Sequence, residues 1–127
     1  MDPQLNLFCF RDNSNVYINC QVLHKNMLND SLKIHIIKVL KAALDNDEQF
    51  EIYMDLSGLT MSVINIEYMT ELTQIFSQLF PEKLRKCEIK NYPYFFKSVY
   101  NVIKNCIDKN TRNKIVWIKN NNNNLSL

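Results

Sequence analysis

The chain has 127 residues and a formal net charge of +2, enough for one compact domain and too short for two ordinary ones. Gly58 is its single glycine. That excludes a Gly-rich dinucleotide fingerprint, a Walker-type phosphate loop and a nucleophile elbow, each of which needs two or more closely spaced glycines.

In chain order, Leu5-Asn6-Leu7-Phe8-Cys9-Phe10 and Val16-Tyr17-Ile18-Asn19-Cys20-Gln21-Val22 alternate like strands around a turn cluster at 11–15, which predicts a hairpin. Asn29, Asp30 and Ser31 supply capping side chains ahead of a helix over 32–44. Its apolar stripe is Leu32, Ile36, Val39, Leu40 and Ala43. Lys33, Lys38 and Lys41 are expected on its solvated face and His35 on its surface. Residues 50–56 alternate as a strand that stops at Ser57-Gly58, where the glycine suits a positive φ or a close approach. A second helix is expected from about Asn65 to Phe80, with Tyr68, Leu72, Ile75, Phe76 and Leu79 on one face and Pro81 ending it. A short strand at 87–91 follows. After Tyr92-Pro93 comes a third helix with Phe95, Val99, Val102, Ile103 and Cys106 on one side. Residues 114–119, with Ile115-Val116-Trp117-Ile118, read as a final buried strand.

The order β-β-α-β-α-β-α-β predicts an α/β fold. Its mixed sheet has about five strands, an N-terminal hairpin and then β-α units, with helices packed on it. Residues 1–119 form one domain, and 120–127, with Asn120 to Asn124 in a row, are expected to be a flexible tail that buries too little apolar area to order.

Asn (18), Ile (13) and Lys (12) dominate the composition and share A/T-rich codons. No apolar run approaches the roughly 20 residues of a membrane span. Cys9, Cys20, Cys87 and Cys106 contain no C-x-x-C spacing and read as buried thiols of a reducing compartment, so a cytoplasmic protein is expected, in part peripheral to membranes. With His24 and His35 the sole histidines and no nucleophile predictably beside either, the chain is read as a non-enzyme without cofactor or metal. The acidic run Asp45-Asn46-Asp47-Glu48 lacks the turn glycine of a calcium loop. Charge is uneven: residues 1–80 carry five Lys/Arg against ten Asp/Glu, residues 81–127 ten against three. Such polarity suits an anionic partner. A net charge of +2 and the lack of an RNP-like aromatic strand argue against nucleic acid.

Four pieces between residues 50 and 118, in order, carry a family resemblance. Asp55-Leu56-Ser57-Gly58-Leu59 looks like a strand ending in D-x-x-G. Leu79-Phe80-Pro81-Glu82-Lys83-Leu84 looks like a Y-P-E-R-L signature, and Asn91-Tyr92-Pro93-Tyr94-Phe95-Phe96 is similar to N-x-P-x-x-F. The run from Cys106 to Ile115 is similar to F-L-D-P-x-T-x-x-K-I. Together they resemble the CRAL-TRIO (Sec14-like) lipid-binding family. A STAS-like fold is the nearest architectural rival, but its Asp-Ser phosphosite is missing.

The resemblance implies an apolar lipid cavity floored by the sheet and closed by a mobile helix, here residues 94–106. Tyr94, Phe95, Phe96, Val99, Val102 and Ile103 would form the gate helix and cavity. In phosphatidylinositol-binding relatives, the glutamate of P-E-x-L and the lysine of T-x-x-K-I contact the headgroup. Their counterparts here are Glu82 and Lys114. A lysine pairs with phosphate as a point charge and a carboxylate accepts from inositol hydroxyls. Lys97, Lys104 and Arg112 would face an anionic membrane.

This chain departs from the family pattern in three places. The relatives' N-terminal helical domain has no counterpart before Phe50, the L-P-x-x-x-G-G ending is replaced by asparagines, and the proline of D-P-x-T is Lys109 or Asn110. A minimal core close in extent to the BCH branch is expected, with two readings open. One is a lipid, phosphoinositide or membrane-surface binding module. The other is a protein-interaction or self-associating module, a homo-oligomer included, whose lipid pocket is lost.

Overall fold

The structure, a computed structural model, describes residues 3–119; the expected tail lies outside them. Five strands, β1 (Cys9–Asp12), β2 (Asn15–Asn19), β3 (Phe50–Asp55), β4 (Leu84–Lys90) and β5 (Ile115–Trp117), pair side by side in sequence order. β1 runs antiparallel to β2, and every later pairing is parallel. Helices α2 (Asp30–Ala43), α3 (Ile66–Leu79) and α4 (Phe96–Ile103) make the three crossovers, with the short α1 (Pro3–Phe8) and α5 (Lys109–Arg112) outside that repeat. This is the expected mixed five-stranded α/β sheet. Right-handed crossovers between strands laid down in order put α2, α3 and α4 on one face.

Register shows which side chains that face receives. Val16, Ile52, Cys87 and Ile115 lie in one row across the strands, and Ile18, Met54, Ile89 and Trp117 in the next. The opposite face carries Phe10, Tyr17 and Tyr53 as a stacked row, with ring centroids 5.5 and 5.4 Å apart. Phe50, fully buried, packs edge-on against Phe76 and Phe80 from α3 and its end at 5.9 and 5.6 Å. Burying one such ring contributes about 1.5–3 kcal/mol.

The hairpin is shorter than the sequence predicts. Leu5 to Phe8 are helical, because Pro3 opens α1 where its missing N–H costs nothing. Leu5 and Phe8 then fall one turn apart against the core, leaving Leu7 57% exposed. A period of three overrides the apparent alternation. β4 starts at Leu84 rather than at 87, since a register shift opposite Phe50/Glu51 leaves Arg85 as an extra residue. That bulge turns both Leu84 and Cys87 inward, three apart, and hides the strand's beginning from a period-two reading.

The third helix is also shorter. It runs from Phe96 to Ile103 and tightens into one 3-10 turn, Lys104–Cys106. β5 is an edge strand rather than a buried one, with Val116 and Ile118 exposed. Gly58 takes φ +78 after β3, as expected where L side chains are strained.

Candidate functional site

Between α2, α3, α4 and the inner sheet face lies a cavity of about 250 Å³. Val16, Ile52, Met54 and Ile89 form its floor, Ile36 and Leu40 one wall, and Leu72 and Phe76 another. From α4 and beyond, Phe96, Tyr100, Ile103 and Thr111 complete it. Its lining is almost wholly apolar, which suits hydrocarbon and gives water few partners.

The expected gate residues divide. Phe96, Val99 and Ile103 are buried, and Phe96 and Ile103 line the cavity. Phe95 is half-buried against the core. Tyr94 and Val102 do not reach it: they are 94% and 61% exposed. With α4 starting at Phe96, Tyr94 stands in the preceding turn, and Val102 falls on the side away from Val99 and Ile103. Tyr100, absent from the expected set, takes the place in the wall. Burial raises its phenol pKa, and it packs edge-on against Trp117 at 5.0 Å.

The expected basic residues are held inward to different degrees. Lys97, though exposed, places Nζ 4.1 Å from the Trp117 ring centroid and 5.6 Å from that of Tyr92, a cation–π contact of about 0.5–1 kcal/mol. Lys104 is half-buried. Arg112 is half-buried too, and its Nε is buried with no hydrogen-bond partner among the described residues.

Glu82 and Lys114 occupy the same end of the sheet, just before β4 and β5. Glu82 is exposed in a turn with φ 57, and its carbonyl accepts from Gln49 Nε2 at 3.2 Å. Lys114 is half-buried and its Nζ donates to the Leu84 carbonyl at 2.6 Å. The segment carrying Lys114 is set by Asp108, which caps α5 by accepting from Thr111 N–H at 2.8 Å and Thr111 Oγ1 at 3.0 Å. The backbone bond from Thr111 is the main reason its carboxyl sits below the usual carboxylate range.

Two further expectations are corrected. Lys33 is not on a solvated face; its side chain is 15% exposed, lines the cavity, and donates from Nζ to Glu71 Oε2 at 2.6 Å. The signal was present in the sequence: Lys33, Ile36, Ile37 and Leu40 form an i, i+3, i+4, i+7 stripe, offset from the one that Leu32 suggests. His35 is half-buried rather than superficial, with Nε2 2.8 Å from the Cys9 carbonyl. Of the four cysteines expected to be buried, three are. Cys9, Cys20 and Cys87 are buried, Cys106 partly so, and burial pushes the first three up to about 12.

Among the described residues no helix is long and apolar enough to cross a membrane. In comparisons with known proteins, the crystal structure of Sfh5 matches with a TM-score of 0.74 and 20% identity over 91% of this chain. That likeness is one of fold, and this chain spans half the length of that one. The family model of the CRAL/TRIO domain matches residues 13–127, which takes in strands β2 to β5 and all three crossover helices and leaves out β1. With the sheet order, the cavity and the four motifs in place, the chain belongs to the CRAL/TRIO domain family.

Proposed function

We propose that this chain is a non-enzymatic lipid-binding module that takes an acyl chain into the cavity between its three crossover helices and the sheet. The observation that carries this reading is the apolar lining of that cavity in a CRAL/TRIO chain. A phosphoinositide headgroup is the finer form of the reading. It is supported by Glu82 and Lys114 at one end of the sheet, with Arg112 two residues before Lys114 and its buried Nε without a hydrogen-bond partner among the described residues. To bind phosphate, Lys114 exchanges the Leu84 carbonyl for it. The exposed Tyr94 and Val102 flanking Lys97 favour contact of α4 with a membrane surface during loading, where aromatic and basic side chains share the interface.

The test is incubation with phosphatidylcholine vesicles, with and without phosphatidylinositol, followed by separation and assay of lipid carried by the protein. The reading expects about one lipid per chain, and for the phosphoinositide form a loss of the phosphatidylinositol preference in Lys114→Met. A protein that emerges without lipid from either vesicle contradicts it.

A further inference from the structure

Among the described residues, Lys33 is the one charged side chain on the cavity wall. Its ammonium reaches from α2 to Glu71 on α3, and Glu71 is 46% exposed while Lys33 is 15% exposed. The pair therefore stands where the wall meets solvent, between the two helices. A second link, Tyr68 Oη donating to the Asn29 carbonyl at 2.6 Å, joins the same helices one turn away, and Lys33 Nζ lies 4.9 Å from the Tyr68 ring centroid. Beneath the pair the α2 stripe continues as Ile36, Ile37 and Leu40. A polar pair at the top of an apolar slot has the layout of an amphiphile site: head at the rim, chain below.

The surrounding charge selects the head. Asp30 is also within 4.0 Å of Lys33, so the lysine already faces two carboxylates. An incoming carboxylate or phosphate meets net negative charge there. A hydroxyl does not: it donates to Glu71, accepts from Lys33, and leaves the ion pair in place. Volume selects the tail. At about 30 Å³ for a group of water-molecule size, the cavity of about 250 Å³ holds roughly eight methylenes, one chain rather than two.

We propose that the slot between α2 and α3 is the mouth of this cavity for a single-chain lipid with an uncharged hydroxyl head, of the monoacylglycerol or long-chain alcohol class. The Lys33–Glu71 pair receives the hydroxyl. This rests on the lipid-binding reading and adds the ligand class and the residues that read it.

Titration of the full chain with 1-monodecanoylglycerol and with decanoate tests it. Trp117 serves as reporter, because Tyr100 and Phe96 of the cavity wall pack against its ring. Monodecanoylglycerol binds, decanoate binds about tenfold more weakly, and Lys33→Met and Glu71→Leu each weaken monodecanoylglycerol about tenfold. Circular dichroism confirms that each variant is folded, and the wild-type comparison of the two ligands stands without them. Equal or tighter binding of decanoate, or wild-type affinity in both folded variants, overturns the proposal. Uptake of phosphatidylinositol from vesicles without binding of monodecanoylglycerol overturns it and leaves the lipid-binding reading standing. Failure of all three lipids to bind overturns both.

Discussion

Asp55 closes β3 by accepting from Ser57 N–H, Ser57 Oγ and Asn91 Nδ2 at 3.0, 2.7 and 3.1 Å. Burial alone would raise its pKa, but these bonds outweigh it and hold the carboxyl below its ordinary value. A depressed folded-state pKa adds stability above the unfolded value of about 3.9 and loses it as pH falls through the folded value. Asp55→Asn is therefore expected to cost about 1–2 kcal/mol at pH 7, with the gap to wild type closing below about pH 4. Urea unfolding at the two pH values measures it. At the same scale, a disulfide-exchange reagent at pH 8 should label Cys106 first, and Cys9, Cys20 and Cys87 only on unfolding, because burial disfavours their thiolates. Asp55 and Gly58 were legible in sequence because a strand end has local grammar. Lys33 was legible only in part: its stripe with Ile36, Ile37 and Leu40 was there. Whether that stripe or the one through Leu32 meets a neighbour depends on where the next helix sits, and Glu71 lies 38 residues away.

Helices α2 and α3 are joined through side chains that start at their N-terminal turns. Asn29 and Asn65 cap them, accepting from Leu32 and Tyr68 N–H, so both helices begin at residues whose chemistry the sequence announces. The Tyr68 hydroxyl ties the two caps together through the Asn29 carbonyl, and burial pushes its pKa up to about 12. Tyr68→Phe should cost about 1 kcal/mol near neutral pH. It should also remove a loss of stability that wild type shows above about pH 10, where an unfolded tyrosine ionises and the folded one does not. Chemical unfolding across that range checks both. For α1 and β4, misplaced from sequence, the cause is a local pattern that departs from strict alternation. Leu5 and Phe8 follow a helical turn under Pro3, and the Arg85 bulge shifts β4 out of strict alternation.

Across the whole molecule, one sheet face and the helices packed on it line a cavity that no single segment could announce, since its floor and walls come from four strands and four helices. Periodicity and turn residues were enough to foresee the α/β sheet, and four short motifs to foresee the family. The division of the third helix into cavity-lining and outward residues depends on its start at Phe96, one turn after Pro93. The central claim is that this cavity holds a lipid chain, and blocking it while keeping the fold tests that claim most directly. Leu72, partly buried on α3, projects into the space, and Leu72→Trp fills part of it. Native mass spectrometry after incubation with mixed phospholipid and monoacylglycerol vesicles should show a one-to-one lipid adduct on wild type and none on folded Leu72→Trp. No adduct on wild type, or an equal one on the filled variant, would contradict the account.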